Sequence, residues 1–193
     1  MKKFIVFFLI VAVSVGIGFG AQTFEDYMIK KKHPLKYSEY VDKYSEEFEI
    51  PKTLLYSVIK CESGFDPKAK SRVGARGLMQ LMPKTFEEMA RRQGEEFKEE
   101  LMYDAETSIR YGSYYLNYLY NIFGDWKLVL AAYNGGMGNV RKWMEDSDYF
   151  DGVKIIKYPK GFEETEQYVK RVTEAEKVYV GLWFNDNNKL GGK

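Results

Sequence analysis

The sequence predicts a mainly α single domain with a small irregular or β element. Three observations carry this. Apolar residues recur at three- and four-residue steps through most of the chain beyond Gln22, strand-like patterns are confined to two short stretches, and no internal repeat or low-complexity linker divides the 193 residues. With 45% hydrophobic residues, a chain of this length buries a core without disulfides or metals.

The elements follow in order. Tyr37, Tyr40, Val41, Tyr44 and Phe48 form one apolar face, and Ser38, Glu39, Asp42, Lys43 and Glu46 the opposite one, which predicts an amphipathic helix. Pro51 suits a first helical turn and opens a second helix, through about Lys60. Further helices are predicted over Pro83–Gln93, Ala105–Ile122, Trp126–Tyr133, Met137–Met144 and Glu163–Leu182. Val73–Leu81 reads as a short hairpin and Val153–Tyr158 as one extended piece.

Residues 1–21 read as a separate export signal, leaving 22–193 as the mature domain. Lys2 and Lys3 form the positive start, Phe4 to Val13 the apolar stretch, and Gly16, Gly18 and Gly20 a small-residue exit. Cleavage after Gly20 would leave small residues at both recognition positions; left uncleaved, the same segment would act as a membrane anchor. No Cys follows it, which excludes a lipoprotein anchor. Removing it takes away two Lys and no acids, so the formal charge moves from +1 to −1. That balance lacks the basic excess of a nucleic-acid binder.

The chemistry is bounded by two letters. One His (His33) and one Cys (Cys61) exclude an internal disulfide and a His/Cys metal cluster, and leave no nucleophile-and-base site beyond His33. His33 lies in the charged Lys30–Lys36 segment and reads as a solvated linker residue. Carboxylates, hydroxyls and amides remain, beside 17% aromatic residues, the mixture a carbohydrate site uses.

Among the carboxylates Glu62 stands out. Leu54, Leu55, Val58 and Ile59 write the inner face of the second helix, and stepping on from Leu55 and Val58 lands on Glu62. Gly64 suits the left-handed residue that ends a helix, so Glu62 falls in the last turn beside unpaired carbonyls. Burial and the negative helix end both oppose ionisation, which is what a general acid requires. The competing reading is that Glu62 frays outward or pairs with an Arg such as Arg72 or Arg76. Cys61 points about 100° away around the helix and reads as a small packing residue.

Other residues admit two readings each. Gly74 and Gly77 bracket a tight turn where main chain can approach a ligand, and Gln80 offers donor and acceptor to sugar groups or simply sits on the surface. Tyr133 ends an apolar run before Asn134-Gly135-Gly136 and is either a core-edge aromatic or a neighbour of Glu62. Glu164 opens the last helix, where an acid suits the first-turn N–H groups as well as a sugar. Tyr111, Tyr114, Tyr115, Tyr118 and Tyr120 lie at helical spacing and do not by themselves make a sugar platform.

Glu62-Ser63-Gly64-Phe65-Asp66-Pro67, then Gly74-Ala75-Arg76-Gly77-Leu78-Met79-Gln80-Leu81-Met82-Pro83, then Ala131-Ala132-Tyr133-Asn134-Gly135-Gly136, and finally Glu164-Thr165 with Tyr168-Val169, resemble in order the four blocks of the lytic transglycosylases. The likeness is to the soluble lytic transglycosylase catalytic domain, related to goose-type lysozyme. It spans about residues 50 to 180. Ala105, Ser108 and Met137 depart from the family pattern at positions that read as structural.

The resemblance implies a lysozyme-like fold and an enzyme of the exported cell envelope or periplasm. Its substrate would be the peptidoglycan glycan strand, cut at the β-1,4 bond between N-acetylmuramic acid and N-acetylglucosamine. By that likeness Glu62 is the sole catalytic acid and base. Ser71, Gln80, Met82, Tyr133 and Glu164 line the glycan groove, and Ser63, Asn134 and Tyr168 support the cleft. No metal or cofactor is implied. Retaining and inverting glycosidases pair two carboxyl groups, and no second one is marked here, so the 2-acetamido group of the sugar would assist and a 1,6-anhydro product would form. A water-using muramidase and a non-catalytic glycan-binding module are the alternatives.

Overall fold

The computed structural model describes residues 23–184, and the predicted export segment lies outside them. They fall into two compact units, 23–34 and 35–184. In the first, residues 23–32 form helix α1, which the sequence reading left unassigned. His33 is part-buried at its end, with Nδ1 3.0 Å from the Ile29 carbonyl, and so closes a helix rather than standing free in a linker. No helix among the described residues is long and apolar enough to cross a membrane.

The second unit is helical almost throughout. Its elements are α2 (Ser38–Glu47), α3 (Lys52–Ser63), α4 (Pro83–Arg92), a short 3-10 helix (Glu99–Tyr103), α5 (Ala105–Phe123), α6 (Trp126–Gly135), α7 (Met137–Met144) and α8 (Glu163–Tyr179), which ends in a wider π turn, Val180–Phe184. Local chemistry fixes the ends. Pro83 occupies the first turn of α4. The Asp104 carboxylate accepts the Thr107 N–H at the start of α5, and that of Asp125 accepts the Lys127 and Leu128 N–H groups at the start of α6. The left-handed Gly64 and Gly124 stop α3 and α5.

The predicted hairpin forms no continuous strands. Residues 70–81 fold as a loop with isolated antiparallel bridges, Lys70 to Arg76 and Arg76 to Leu81, and a third bridge joins Phe150 to Ile155. Gly74 and Gly77 at positive φ turn the loop back on itself before a ladder can extend. Gly77 is required there for a packing reason: a Cβ would lie 1.9 Å from the Met102 carbonyl oxygen and 2.8 Å from Ser108 Oγ. The chain approaches its own backbone, not an open space.

Two apolar clusters form beneath these elements. The larger joins α2, α3, α5, α6, α7 and α8 around Leu55, Val58, Leu116, Val129, Ala132 and Val172. The smaller lies under α4 and the 3-10 helix, around Phe86, Met89, Met102 and Tyr111. Tyr115 and Tyr133 pack against both, which puts the end of α6 at the seam between them.

Candidate active site

α3 runs along α8, with Leu54, Leu55, Val58 and Ile59 buried, and this brings the last turn of α3 against the first turns of α8. Glu62 sits in that turn, only partly open to solvent. Burial lifts its carboxyl from 4.5 to about 7, the Tyr168 hydroxyl and Arg171 pull it down, and the charge of Glu164 pushes it up. The alternative partners are otherwise engaged: Arg76 pairs with Glu99, and Arg72 is exposed. Burial therefore favours the protonated form of Glu62, and among the described residues no salt bridge offsets it.

Tyr168 is 2% exposed, and its hydroxyl has no hydrogen-bond partner of ordinary geometry. It nonetheless faces Glu62 closely enough to favour the anion, while burial and that same charge hold the phenol well above its usual range. Tyr133 is held up in the same way, by burial first and the Glu62 charge second. Its hydroxyl donates to the Met79 carbonyl at 2.6 Å, so it braces the 70–81 loop rather than bonding Glu62.

Ser63 ties the helix end to that loop. Its Oγ lies 2.9 Å from the Leu78 carbonyl oxygen and accepts the Phe65 N–H at 3.2 Å. Gln80 has a left-handed backbone, held by its own amide, which donates to the Ala69 and Gly77 carbonyls. Asn134 acts between helices: its Oδ1 accepts the hydroxyl of buried Thr165 at 2.8 Å, linking the end of α6 to the start of α8.

The structure thus brings Glu62, Tyr133, Glu164 and Tyr168 within electrostatic reach of one another, with Ser63 and Asn134 bonded around them, while Gln80 bonds within the loop. Ser71 lies further up the same loop, where its Oγ accepts the Ala75 N–H at 2.9 Å. Met82 precedes α4 and is 42% exposed. Cys61 packs beside the core, and burial pushes its thiol up, away from the reactive thiolate. Sequence reasoning missed Arg171 and Thr165. Both lie three residues from Tyr168, a spacing that puts them on its side of α8. Among the described residues, no cluster of His, Cys, Asp and Glu is arranged to hold a metal ion.

Fold and site together define a mainly helical, lysozyme-like domain with one protonatable carboxyl at a helix end. Residues 39–156 match the Transglycosylase SLT domain, and the chain belongs to that family. It is 36% identical to the soluble lytic murein transglycosylase of Escherichia coli strain K12, over 78% of this chain and 24% of the relative. It is 30% identical to the membrane-bound lytic murein transglycosylase C of Pectobacterium atrosepticum, over 82% of this chain and 50% of the relative. Among solved structures, the 70 kDa soluble lytic transglycosylase of Escherichia coli superposes with a TM-score of 0.70 at 32% identity, covering 79% of this chain and 25% of that one. An inactive glutamate-to-glutamine mutant of lytic transglycosylase Slt from Pseudomonas aeruginosa gives 0.69 at 28% identity, covering 79% and 25%. The chain therefore spans about a quarter to a half of the length of these relatives.

Proposed function

We propose that residues 22–193 form a catalytic domain that cuts the β-1,4 bond between N-acetylmuramic acid and N-acetylglucosamine in peptidoglycan without consuming water. The observation that carries this is the placement of Glu62 in the last turn of α3 facing Tyr168, where burial raises its carboxyl to about 7 and, among the described residues, no salt bridge holds the anion. An acid with that value is neutral often enough to donate and basic enough to take the proton back. Among the described residues, Glu164 is the other carboxylate whose charge reaches it, and Glu164 is exposed in the first turn of α8. A single-carboxyl mechanism fits that arrangement. The relatives are named lytic murein transglycosylases, and one of the similar solved structures is an inactive glutamate-to-glutamine mutant.

In the proposed reaction, protonated Glu62 donates to the bridging oxygen as the bond to C1 of the muramoyl sugar breaks. The sugar's 2-acetamido oxygen stabilises the positive charge forming at C1. The Glu62 carboxylate then removes the proton from the 6-hydroxyl, O6 bonds to C1, and a 1,6-anhydro ring closes. Glu62 ends protonated, as it began. Ser71, Gln80, Met82, Tyr133 and Glu164 line the glycan path, while Ser63, Asn134 and Tyr168 hold the acid and its surroundings. The enzyme works in the envelope, exported or tethered through its first 21 residues.

Digesting purified peptidoglycan and weighing the released fragments tests this. The proposal requires ends one water lighter than hydrated reducing ends. Hydrated ends would mean a muramidase, and intact strands bound without release a binding module. Glu62→Gln should abolish release while retaining binding to the strands, and a variant cutting at the wild-type rate overturns the assignment.

A further inference from the structure

Helix α1, residues 23–32, belongs to a compact unit of its own, and none of the candidate site residues lies on it. Phe24 is 65% and Tyr27 58% exposed. At steps of three and four residues they share a side of the helix with exposed Lys31. Glu25 and Asp26 point away from that side, and the half-buried Ile29 and His33 lie opposite it. One exposed ring would need no explanation. Two on one side, beside a lysine whose stem can lie along them, make an apolar strip with a charged rim.

The charge of this stretch is as uneven as its polarity. Lys30, Lys31 and Lys32 close the helix and Lys36 follows, all of them exposed, against Glu25 and Asp26 in the first turn. The stretch is therefore net positive, in a mature chain whose formal charge is −1. Position in the chain points to what covers the strip. α1 begins within two residues of the predicted export segment, whose core is the apolar run from Phe4 to Val13. Ten helical residues span about 15 Å, half of what a bilayer core requires, so α1 fits along a membrane and not through it. Aromatic rings settle at the level of the headgroups, and lysines reach the phosphates there.

We propose that α1 is an interfacial helix, laying Phe24 and Tyr27 into the surface of an anionic phospholipid bilayer with Lys30, Lys31 and Lys32 on the headgroup phosphates. The proposal rests on the envelope location given above, not on the chemistry of bond cleavage. With residues 1–21 attached, the apolar segment is one membrane signal and α1 the second. With them removed, α1 alone gives weak, reversible attachment.

The test reconstitutes the full chain in vesicles of phosphatidylcholine alone and of phosphatidylcholine mixed with phosphatidylglycerol, and follows amide hydrogen exchange along the chain. A helix this short does not hold its hydrogen bonds unaided, so protection of residues 24–32 reports what covers it. Exchange there should be slower on the anionic vesicles by roughly fivefold to thirtyfold, the size of one or two lysines at a charged surface. Phe24→Ser with Tyr27→Ser should remove the protection on both vesicles, and Lys31→Glu with Lys32→Glu should remove the difference between them. Exchange across residues 35–184, the melting temperature and fragment release from soluble peptidoglycan should match wild type in both double variants. A chain that protects α1 on lipid yet releases no fragments loses the cleavage reading and keeps this one. A chain that stays off both vesicles, equal exchange on the two, or protection that survives the serine pair because α1 packs on protein, overturns the proposal.

Discussion

Replacing Glu62 with Gln removes the proton question from the site and measures its energy. In wild type the carboxyl goes from an ordinary 4.5 in the unfolded chain to about 7 in the folded one. The folded state therefore binds the proton more tightly, and stability falls as pH rises between those two values. Below 4.5 both states carry the proton and the term is fully present; above about 7 neither does and it is lost. At 1.36 kcal/mol for each tenfold, the loss approaches about 3 kcal/mol. Glu62 keeps part of its surface open to solvent, so that figure is a ceiling.

Gln resembles the protonated acid in shape and does not titrate. The variant should thus match wild type near about pH 4 and exceed it near about pH 8, by a melting-temperature gap of roughly 6–12 °C at the ceiling. Thermal and urea unfolding across that range provide the measurement. A stability difference between variant and wild type that stays flat with pH would show Glu62 ionising as freely as a surface residue, and would refute the reasoning from burial. The catalytic counterpart is the rate profile: if the proton on Glu62 is the one donated, kcat/KM falls as pH rises through about 7.

Three further substitutions separate support from chemistry. Tyr168→Phe removes a buried hydroxyl that lacks a regular partner yet favours the Glu62 anion, so the alkaline limb of the rate profile should move to higher pH with little loss of stability. Gly77→Ala forces a Cβ into the Met102 carbonyl at positive φ, and urea unfolding should report a loss of roughly 3 kcal/mol. Ser63→Ala breaks the contact with the Leu78 carbonyl and leaves a part-buried acceptor unmet, which should cost roughly 1–2 kcal/mol in the same assay. It should also lower kcat, because the loop braced by Tyr133 shifts against Glu62.

Glu62 was legible because everything that raises it to prominence is local. The inner face set by Leu55 and Val58 carries on to it within the same helix, and Gly64 two residues later takes the left-handed conformation that stops the helix there. The helix boundaries were legible for the same reason, since Pro83, Asp104, Asp125 and Gly124 act within one turn of the end they fix. The failures are those of distance. Val73–Leu81 has the composition of a hairpin, yet what decides its shape is the press of Gly77 against Met102, a residue from the 3-10 helix that the pattern did not reveal. Arg171 shares a side of α8 with Tyr168, which periodicity states, but periodicity cannot say that the end of α3 faces that side. Each helix declares its own inside; which insides meet is settled by the packed clusters, where Tyr115 and Tyr133 touch both. The acid can therefore be read from one segment, whereas the groups that tune it come from α8, far along the chain, and only the fold brings them within reach.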